Sequence, residues 1–424
     1  MQIVFAIDFG TSNSALSVYR NGQVELVNVD AGSKTAGLMR SVLYFNEDRE
    51  IFTGTEAINQ YVEEGGSGRF MQSIKTFLPS SNFSGTDIFG KRYAIDDLIA
   101  ILLKELKAKG EEHVGCQVDS VVLGRPVVFS EDSSKDAAAE KYLEKAARKA
   151  GFKNICFQYE PVAAAQAYKD SLQPGHEKIV FIGDFGGGTS DFSVLRVNGN
   201  SAGKKDGHSE VLGLGGVYIA GDKLDSQVMW DKVAHHFGRN ARYKAFATEQ
   251  WTEIPDSLIY TLSQWHRIPL LRTRQNRELI RVIKRSTDNP QAIQNLENII
   301  EENFGFALFQ AIEQAKCDLS SATQTNIRFN ETDLELDEAL SKSEFEQLNH
   351  NNFKKIEDCI DEVFSQCGLN AAQIDTVSLT GGTSKIPYIQ KLFTNRFGSD
   401  KTINRNAFTS VAHGLALSVP LLIS

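Results

Sequence analysis

The chain has 424 residues and a formal net charge of −9 at pH 7, with 41% hydrophobic and 23% charged residues. This length exceeds what one compact core usually organises, so we expect two or more subdomains in a globular protein. The negative charge argues against general nucleic-acid binding, no stretch approaches the roughly 18 consecutive apolar residues of a membrane-spanning helix, and five cysteines without a C-x-x-C pair indicate reduced thiols in a cytoplasmic protein.

The N-terminal segment IVFAIDFGTSNSALSV predicts a strand, a tight turn and a second strand. Its apolar run over 3–7 has no basic leader and is too short for a secretory signal, so it indicates a strand. Asp8 follows this run, and the turn begins at Gly10.

Alternating helices and strands follow in the first half of the chain. A helix over 96–109 is predicted with an apolar leucine stripe and Asp96 or Asp97 as its N-cap. A strand over 120–129 precedes an amphipathic helix that ends at Gly151. Pro161 suits the first turn of another helix, so Glu160 is either an ordinary N-cap or a catalytic carboxylate.

The segment IVFIGDFGGGTSDFSVL repeats the N-terminal pattern with two inserted glycines. Glycines let a ligand approach the backbone closely, and consecutive amide groups in a turn bind phosphate oxygens. Carboxylates repel phosphate, so Asp8 and Asp184 make sense if Mg²⁺ lies between them and a nucleotide. The alternative is a pair of ordinary glycine-rich hairpins.

The second half contains a helix whose polar face carries Glu313, Lys316 and Ser320 within about 60° of one another. This face is either a solvated surface with an i,i+3 ion pair or a ligand contact. The basic segment over 267–285 is interpreted as a solvated helix face or a partner-docking surface, and Trp251 and Trp265 are predicted to lie in the core.

The C-terminal third repeats the strand, glycine turn and helix pattern. Ser343 and Glu346 predict a capping box for a long helix that ends at Gly368, and Gly381-Gly382 forms the next turn. Alternation on this scale indicates doubly layered α/β lobes.

These motifs together resemble the actin-like ATPase superfamily and, within it, the heat-shock protein 70 family. The two turns are similar to its D-x-G-T-[TS]-N-S and D-x-G-G-G-T-x-D phosphate loops. YEPVAAAQAY resembles its E-P-x-A-A-A segment, GVYIAGDKLD its G-G-x-D-x-D loop, and VSLTGGTSKIPYIQKLF its G-G-[ST]-x-[RK]-I-P element. The resemblance covers the chain from end to end, with residues 226–300 fitting loosely.

The resemblance implies an α/β, ribonuclease H-like fold with two lobes, each of two subdomains, around a central nucleotide cleft. Lobe I would span 1–179, with 37–114 as its outer subdomain and a C-terminal helix over 405–424 packing back on it. Lobe II would span 180–404, with 226–324 as its outer subdomain.

The resemblance also implies ATP or ADP with Mg²⁺ as cofactors. Asp8 and Asp184 would hold hydrated Mg²⁺, Lys75 would neutralise the γ-phosphate, and Glu160 or Asp191 would orient the attacking water with Thr189 nearby. The predicted nucleotide-binding residues further include Gly10, Thr11, Ser12, Asn13, Gly186, Gly187, Gly188, Gly215, Gly216, Glu313, Lys316, Ser320, Gly381, Gly382, Thr383 and Lys385.

One position departs from the family pattern. Where the family usually has an arginine that stacks on the adenine, this chain has Cys317. Loss of that stacking removes a contact worth roughly 0.5–2 kcal/mol, so we expect weaker adenine binding.

The expected function is a slow, chaperone-like ATPase switch, with a sugar or small-molecule kinase and a filament-forming protein as alternatives. A co-chaperone or nucleotide-exchange partner would accompany such a switch. The sequence stops where the family continues into a linker and peptide-binding domain, as in the short YegD-type homologues. We therefore expect either a piece of a longer protein or one that does not bind unfolded peptide in the usual way.

Overall fold

The computed structural model describes residues 3–33, 35–64, 67–80, 83, 85–126, 129–130, 132–169, 176–199, 209–245, 250–302, 304–331, 334–404 and 410–423. The strands are β1 (Ile3–Phe9), β2 (Asn13–Arg20), β3 (Gln23–Leu26), β4 (Leu38–Arg40), β5 (Leu43–Phe45), β6 (Ile51–Thr53), β7 (Arg69–Met71), β8 (Gly85–Ile88), β9 (Lys91–Ala94), β10 (Ser120–Arg125), β11 (Asn154–Tyr159), β12 (Glu177–Phe185), β13 (Ser190–Asn198), β14 (Ser209–Val217), β15 (Arg242–Lys244), β16 (Trp251–Glu253), β17 (Gln324–Glu331), β18 (Leu334–Ser341), β19 (Thr376–Thr380) and β20 (Thr402–Asn404).

The α-helices are α1 (Gly54–Glu63), α2 (Ile95–Val114), α3 (Ser133–Lys149), α4 (Glu160–Lys169), α5 (Gly221–Val228), α6 (Asp256–Tyr260), α7 (Arg274–Ser286), α8 (Pro290–Glu301), α9 (Gly305–Asp318), α10 (Lys342–Leu348), α11 (His350–Cys367), α12 (Pro387–Phe397), α13 (Ser410–Leu417) and α14 (Val419–Leu422). Short 3₁₀ turns cover Ile74–Phe77, Ala234–Phe237, Thr261–Ser263, Trp265–Arg272, Ala371–Gln373 and Gly382–Lys385, and Met229–Val233 forms a π-helical turn. Within the described parts of the chain, no helix combines the length and the apolar character that crossing a membrane requires.

Two large sheets share one topology. The first has the order β11-β10-β1-β2-β3, with β4 beside β2, and the second has the order β14-β13-β12-β19-β20. In each, a central strand pairs antiparallel with its hairpin partner and parallel with a later strand. The repeated sequence motif therefore occupies equivalent places, because β1–β2 and β12–β13 are the central hairpins of the two sheets.

The central strands are buried on both faces, as their apolar runs predict. Val4, Phe5, Ala6 and Ile7 are fully buried, and the first sheet packs on α2 and α3 through the leucines and isoleucines of α2. On its other face α13 packs against α4 so closely that a Cβ on Gly414 would lie 1.8 Å from the Ala163 carbonyl oxygen.

Several boundaries differ from the sequence expectation. Helix α2 begins at Ile95, directly after β9, so Asp97 caps it from inside the first turn by accepting a hydrogen bond from the Ala94 amide at 2.9 Å. Strand β10 ends at Arg125, before Pro126, and residues 127–128 lie outside the described part. The predicted capping box at Ser343 is wrong, because the N-cap lies two residues earlier: the Ser341 side chain accepts a hydrogen bond from the Glu344 amide.

Two further expectations concern the segment over 250–285. Trp251 is 46% exposed on β16, where Arg242 and Lys244 stand over its ring, so its predicted core position is wrong. The side chain of Trp265 lies outside the described residues. Basic residues of α7 form ion pairs with α8, as a solvated helix face would; these are Arg277 with Glu301 and Lys284 with Glu297.

Candidate functional site

The turns of the two central hairpins meet at one place. A Cβ on Gly187 would lie 1.6 Å from the Ser12 Oγ, and one on Gly188 would lie 3.0 Å from the Thr11 Cγ2. Residues 10–12 and 186–188, the turns of the two repeated motifs, are therefore in direct contact. Glycine is required at position 187 because a side chain would collide with Ser12.

A partly buried cluster of four carboxylates and one lysine lies beside these turns. Lys75, in the 3₁₀ turn Ile74–Phe77, forms an ion pair with Glu160 at 2.8 Å, and both side chains are nearly buried. Asp184, at the end of β12, accepts a hydrogen bond from the Thr380 hydroxyl at 2.6 Å. Asp191, on β13, accepts one from the Thr189 hydroxyl at 3.0 Å. We call Asp8, Glu160, Asp184 and Asp191, together with Lys75, the carboxylate cluster.

Burial shapes the electrostatics of the carboxylate cluster. Burial and the charge of Glu160 raise the pKa of Asp8 well above its ordinary value and raise that of Asp191 to about 7. Burial likewise raises the pKa of Asp184, against the hydrogen bond from Thr380. Burial alone would lower the pKa of Lys75, but the charges of Glu160 and Asp8 outweigh it and the pKa is raised.

The carboxylate cluster thus has one cation for four acidic groups. Uncompensated carboxylates in a low-dielectric site are unfavourable unless a cation neutralises them. The atoms of these four acidic groups that could bind a metal ion are all oxygens, which suits a hard divalent ion such as Mg²⁺ rather than a softer metal. These residues therefore fit the magnesium site that the sequence predicted.

A second acidic group lines the neighbouring part of the cleft. Lys316, on α9, forms an ion pair with Asp225 of α5 at 2.6 Å, and both are almost fully buried. The Oδ1 atom of Asp225 has no hydrogen-bond partner among the described residues. Burial raises the pKa of Asp225 to about 7 and that of Asp222 to about 6. Glu313 lines the same cavity, whereas Ser320 lies beyond the end of α9 in an exposed turn.

Sequence reasoning did not single out Asp222 and Asp225. It selected the glycine pair Gly215-Gly216 from the same motif, but these residues lie within β14. Gly216 pairs with Asp191, and a Cβ on it would lie 2.7 Å from the Asp191 carboxylate. A Cβ on Gly215 would lie 2.6 Å from Val363 of α11. The D-x-x-D spacing of Asp222 and Asp225 at the start of α5 is the sequence feature that could have indicated these two residues.

The third glycine turn closes the site from the second sheet. Gly381 has φ of +85°, and a Cβ on it would lie 1.9 Å from the Phe185 carbonyl oxygen, so glycine is required there. Thr383 donates a hydrogen bond to the Gly186 carbonyl at 3.3 Å. Gly221 lies between Thr383 and Lys316, where a Cβ would be 3.2 and 3.3 Å from their side-chain ends. Gly382 and Lys385 bound the same 3₁₀ turn, with Lys385 exposed.

Comparison with known proteins also indicates a relationship to the heat-shock protein 70 family. The family model "Hsp70 protein" matches residues 83–249 and 286–423 and omits the segment between them. The chaperone protein DnaK of Thermosipho africanus is 27% identical over 433 aligned residues, which cover 99% of this chain and 59% of the relative. The DnaK of Thermosipho melanesiensis matches with the same identity and coverage.

The chain spans about three-fifths of the length of these curated relatives. Its mixed α/β architecture with several sheets agrees with the actin-like ATPase fold that the family implies. The family match covers most of the chain, and the resemblance of the sequence motifs is confirmed. The chain belongs to the Hsp70 protein family.

Proposed function

We propose that this chain binds ATP with Mg²⁺ and hydrolyses it slowly, acting as the nucleotide-controlled switch of a chaperone-like protein. The observation that carries the proposal is the carboxylate cluster, in which four partly buried acidic groups lie around one lysine beside two contacting glycine turns. Phosphoryl transfer to water needs positioning and charge neutralisation more than covalent chemistry, and this site offers both.

We propose a separate role for each group of residues in this site. Asp8 and Asp184 would hold hydrated Mg²⁺, which would neutralise phosphate charge. The backbone amides of the contacting turns, residues 10–13 and 186–189, would bind β- and γ-phosphate oxygens. The Lys75 ammonium would approach the γ-phosphate, since it lies in the same cavity as Thr11 and Thr189.

The attacking water would be oriented by Glu160 or Asp191. Glu160 is held in place by its ion pair with Lys75, and its carboxylate could accept a hydrogen bond from that water. Asp191 has a pKa of about 7, close to the value at which a carboxylate both accepts and releases a proton near neutral pH.

The nucleoside would lie against α9, beside Glu313 and Lys316. The unpartnered Oδ1 of Asp225 supports this placement, because a buried carboxylate oxygen without a donor is unfavourable by about 1–3 kcal/mol and a ligand hydroxyl could donate to it. The side of the cleft that holds the nucleoside would also be lined by Gly221, Gly381, Gly382 and Thr383. Ser320, in the exposed turn that follows α9, would offer its hydroxyl to the same nucleoside.

We further propose two lobes with boundaries at 1–179 and 180–404, whose outer subdomains are 37–114 and 226–324, and a C-terminal helix over 405–424 that belongs with lobe I. The two sheets of identical strand order support the division, and the packing of α13 on α4 supports the last assignment. Nucleotide binding would close the lobes and hydrolysis would release them. By the family relation we expect a co-chaperone or nucleotide-exchange protein to act on this switch.

The test is hydrolysis of Mg-ATP by the purified chain, measured in single turnover alone and then with a panel of sugars and polyols. We expect slow release of phosphate without any acceptor, and strong loss of activity in Asp8→Asn. Asp119→Asn, which removes an exposed carboxylate that pairs with Lys153, is the matched control. Strong stimulation by one polyol would indicate a kinase, and nucleotide-dependent sedimentation would indicate a filament; either result would overturn the proposal.

A further inference from the structure

Three side chains of metal-binding type converge on the outer surface, away from the carboxylate cluster. His235 and His236 lie in the 3₁₀ turn Ala234–Phe237, and Glu338 lies on β18. The Nε2 atoms of His236 and His235 are 2.7 and 3.6 Å from the same Glu338 oxygen, Oε1. One ligand atom from each residue lies within 4.8 Å of the other two.

The strand pattern makes the position of Glu338 unusual. Along β18 the alternate residues Leu334, Leu336 and Leu340 are buried, and Glu338 is the charged member of that inward-facing set. Its side chain is 21% exposed. A carboxylate on the packed face of a hairpin requires partners, and the two imidazoles provide them.

The two histidines are held in place by contacts of their own. The Asn295 side-chain amide donates to the His236 carbonyl oxygen at 3.0 Å, which ties the turn to α8. The backbone of the turn is fixed as well, since the Gly238 amide donates to the His235 carbonyl oxygen at 3.3 Å. The imidazole rings lie with their centroids 4.0 Å apart.

Lys232 is the one cation near this group among the described residues, and another acid binds it more closely. Its Nζ is 2.8 Å from Glu344 and 3.7 Å from the second oxygen of Glu338. The Oε1 atom is therefore available to a metal ion, while Lys232 contacts the opposite side of the carboxylate.

We propose that His235, His236 and Glu338 form a binding site for a divalent transition-metal ion of the zinc class. Two imidazole nitrogens and one carboxylate oxygen are a ligand set of Zn²⁺, Co²⁺ and Ni²⁺, whereas Mg²⁺ and Ca²⁺ require mostly oxygen ligands. Three protein ligands leave a fourth position for water. Tetrahedral ligands at about 2.1 Å from zinc lie about 3.4 Å apart. His235 Nε2 is already near that spacing from Glu338 Oε1, at 3.6 Å, whereas His236 Nε2, at 2.7 Å, would move back by roughly 0.7 Å to share an ion.

The bound ion would connect the β17–β18 hairpin to the turn that follows α5 and its π-helical extension. The site is separate from the nucleotide chemistry proposed above, because none of its three ligands lines either cavity at the contacting glycine turns.

The experiment titrates Co²⁺ and Zn²⁺ into the full chain with excess Mg-ADP present to occupy the cleft. We expect one equivalent of Co²⁺ to bind with visible d–d bands and without a thiolate charge-transfer band, which separates this site from the five free cysteines. His236→Gln and Glu338→Gln should each weaken binding by at least tenfold. His350→Gln, which alters an exposed histidine on α11, should leave it unchanged.

Thermal unfolding provides the second measurement. Zn²⁺ should raise the midpoint of the wild-type protein and of His350→Gln but not that of Glu338→Gln, and far-UV circular dichroism without metal checks that each variant is folded. Unchanged Co²⁺ affinity in both His236→Gln and Glu338→Gln, or a wild type that binds no Co²⁺ under these conditions, would overturn the proposal. If Glu338→Gln does not fold, the test rests on His236→Gln and His235→Gln, whose side chains are 27% and 52% exposed and lie outside the core.

Discussion

Replacing Asp191 with asparagine is expected to stabilise the nucleotide-free protein at pH 8 while impairing ATP hydrolysis. Asparagine has nearly the same shape, and its side-chain oxygen can keep the hydrogen bond from the Thr189 hydroxyl at 3.0 Å. What the substitution removes is a partly buried negative charge beside Glu160 and Asp184, the two groups that add to desolvation in raising the pKa of Asp191.

The magnitude follows from proton linkage. The pKa of Asp191 is about 7 in the folded protein and about 3.9 in an unfolded chain. Between these values the folded state binds more protons than the unfolded state, so stability falls as pH rises through this window. At pH 8 the ionised side chain therefore lowers the free energy of unfolding by about 4 kcal/mol, at 1.36 kcal/mol for each pKa unit. At pH 5.5 the raised pKa of Asp191 lowers the free energy of unfolding by about 2 kcal/mol.

The assay is urea unfolding of wild type and Asp191→Asn at pH 8 and pH 5.5, without Mg²⁺ or nucleotide. The variant should be more stable at pH 8, and its advantage should shrink at pH 5.5. Asp288→Asn is the control of opposite sign, since hydrogen bonds from Arg242 lower the pKa of Asp288, and its loss should destabilise at both pH values. An Asp191→Asn variant that gains nothing at pH 8, or gains equally at both, would refute the charge-burial argument.

Three more outcomes are expected at the site. Lys75→Met should slow single-turnover hydrolysis by about 100-fold, because it removes the cation beside Glu160; an unchanged rate would exclude Lys75 from charge neutralisation. Asp184→Asn should weaken Mg-ATP binding in calorimetry while ATP binding in the presence of EDTA changes little, and equal weakening in both would contradict a metal role. Cys317→Arg should tighten ADP binding roughly 2- to 30-fold if the guanidinium stacks on adenine, and no tightening would indicate a different position of the base.

The duplicated motif was the most informative feature of the sequence, because it corresponds to a duplicated topology. The D-F-G turns at Asp8 and Asp184 close the central hairpins of two sheets with the same strand order. The strand pattern and glycines are local properties, so a sequence can show them. Lys75 and Glu160 carry no comparable local signal, and only the family resemblance pointed to their meeting.

Errors occurred where tertiary packing overrides a local pattern. The loop expected at Gly215 and Gly216 is part of strand β14, where these small residues fit against Val363 and Asp191 and still line the cavity of the carboxylate cluster. The N-cap of α2 was placed at Asp96 or Asp97 because aspartate is a preferred cap, yet β9 leads directly into the helix and Asp97 acts from its third position. Trp251 was predicted to lie in the core, and it stacks under surface cations instead.

Lys316 shows why residue spacing alone could not decide between a surface ion pair and a ligand contact. The i,i+3 spacing made Glu313 its obvious partner, which would describe a solvated helix. In the fold Lys316 is buried and pairs with Asp225 at 2.6 Å, from a helix about 90 residues earlier in the chain. Burial lowers the pKa of Lys316, and the charge of Asp225 more than restores it. The lysine is thus held charged, at a fixed position on the cleft wall, by a carboxylate whose other oxygen receives no hydrogen bond from the part of the chain that the structure describes. A solvated surface pair needs neither the burial nor the second carboxylate, so the arrangement favours the ligand-contact interpretation of this helix face.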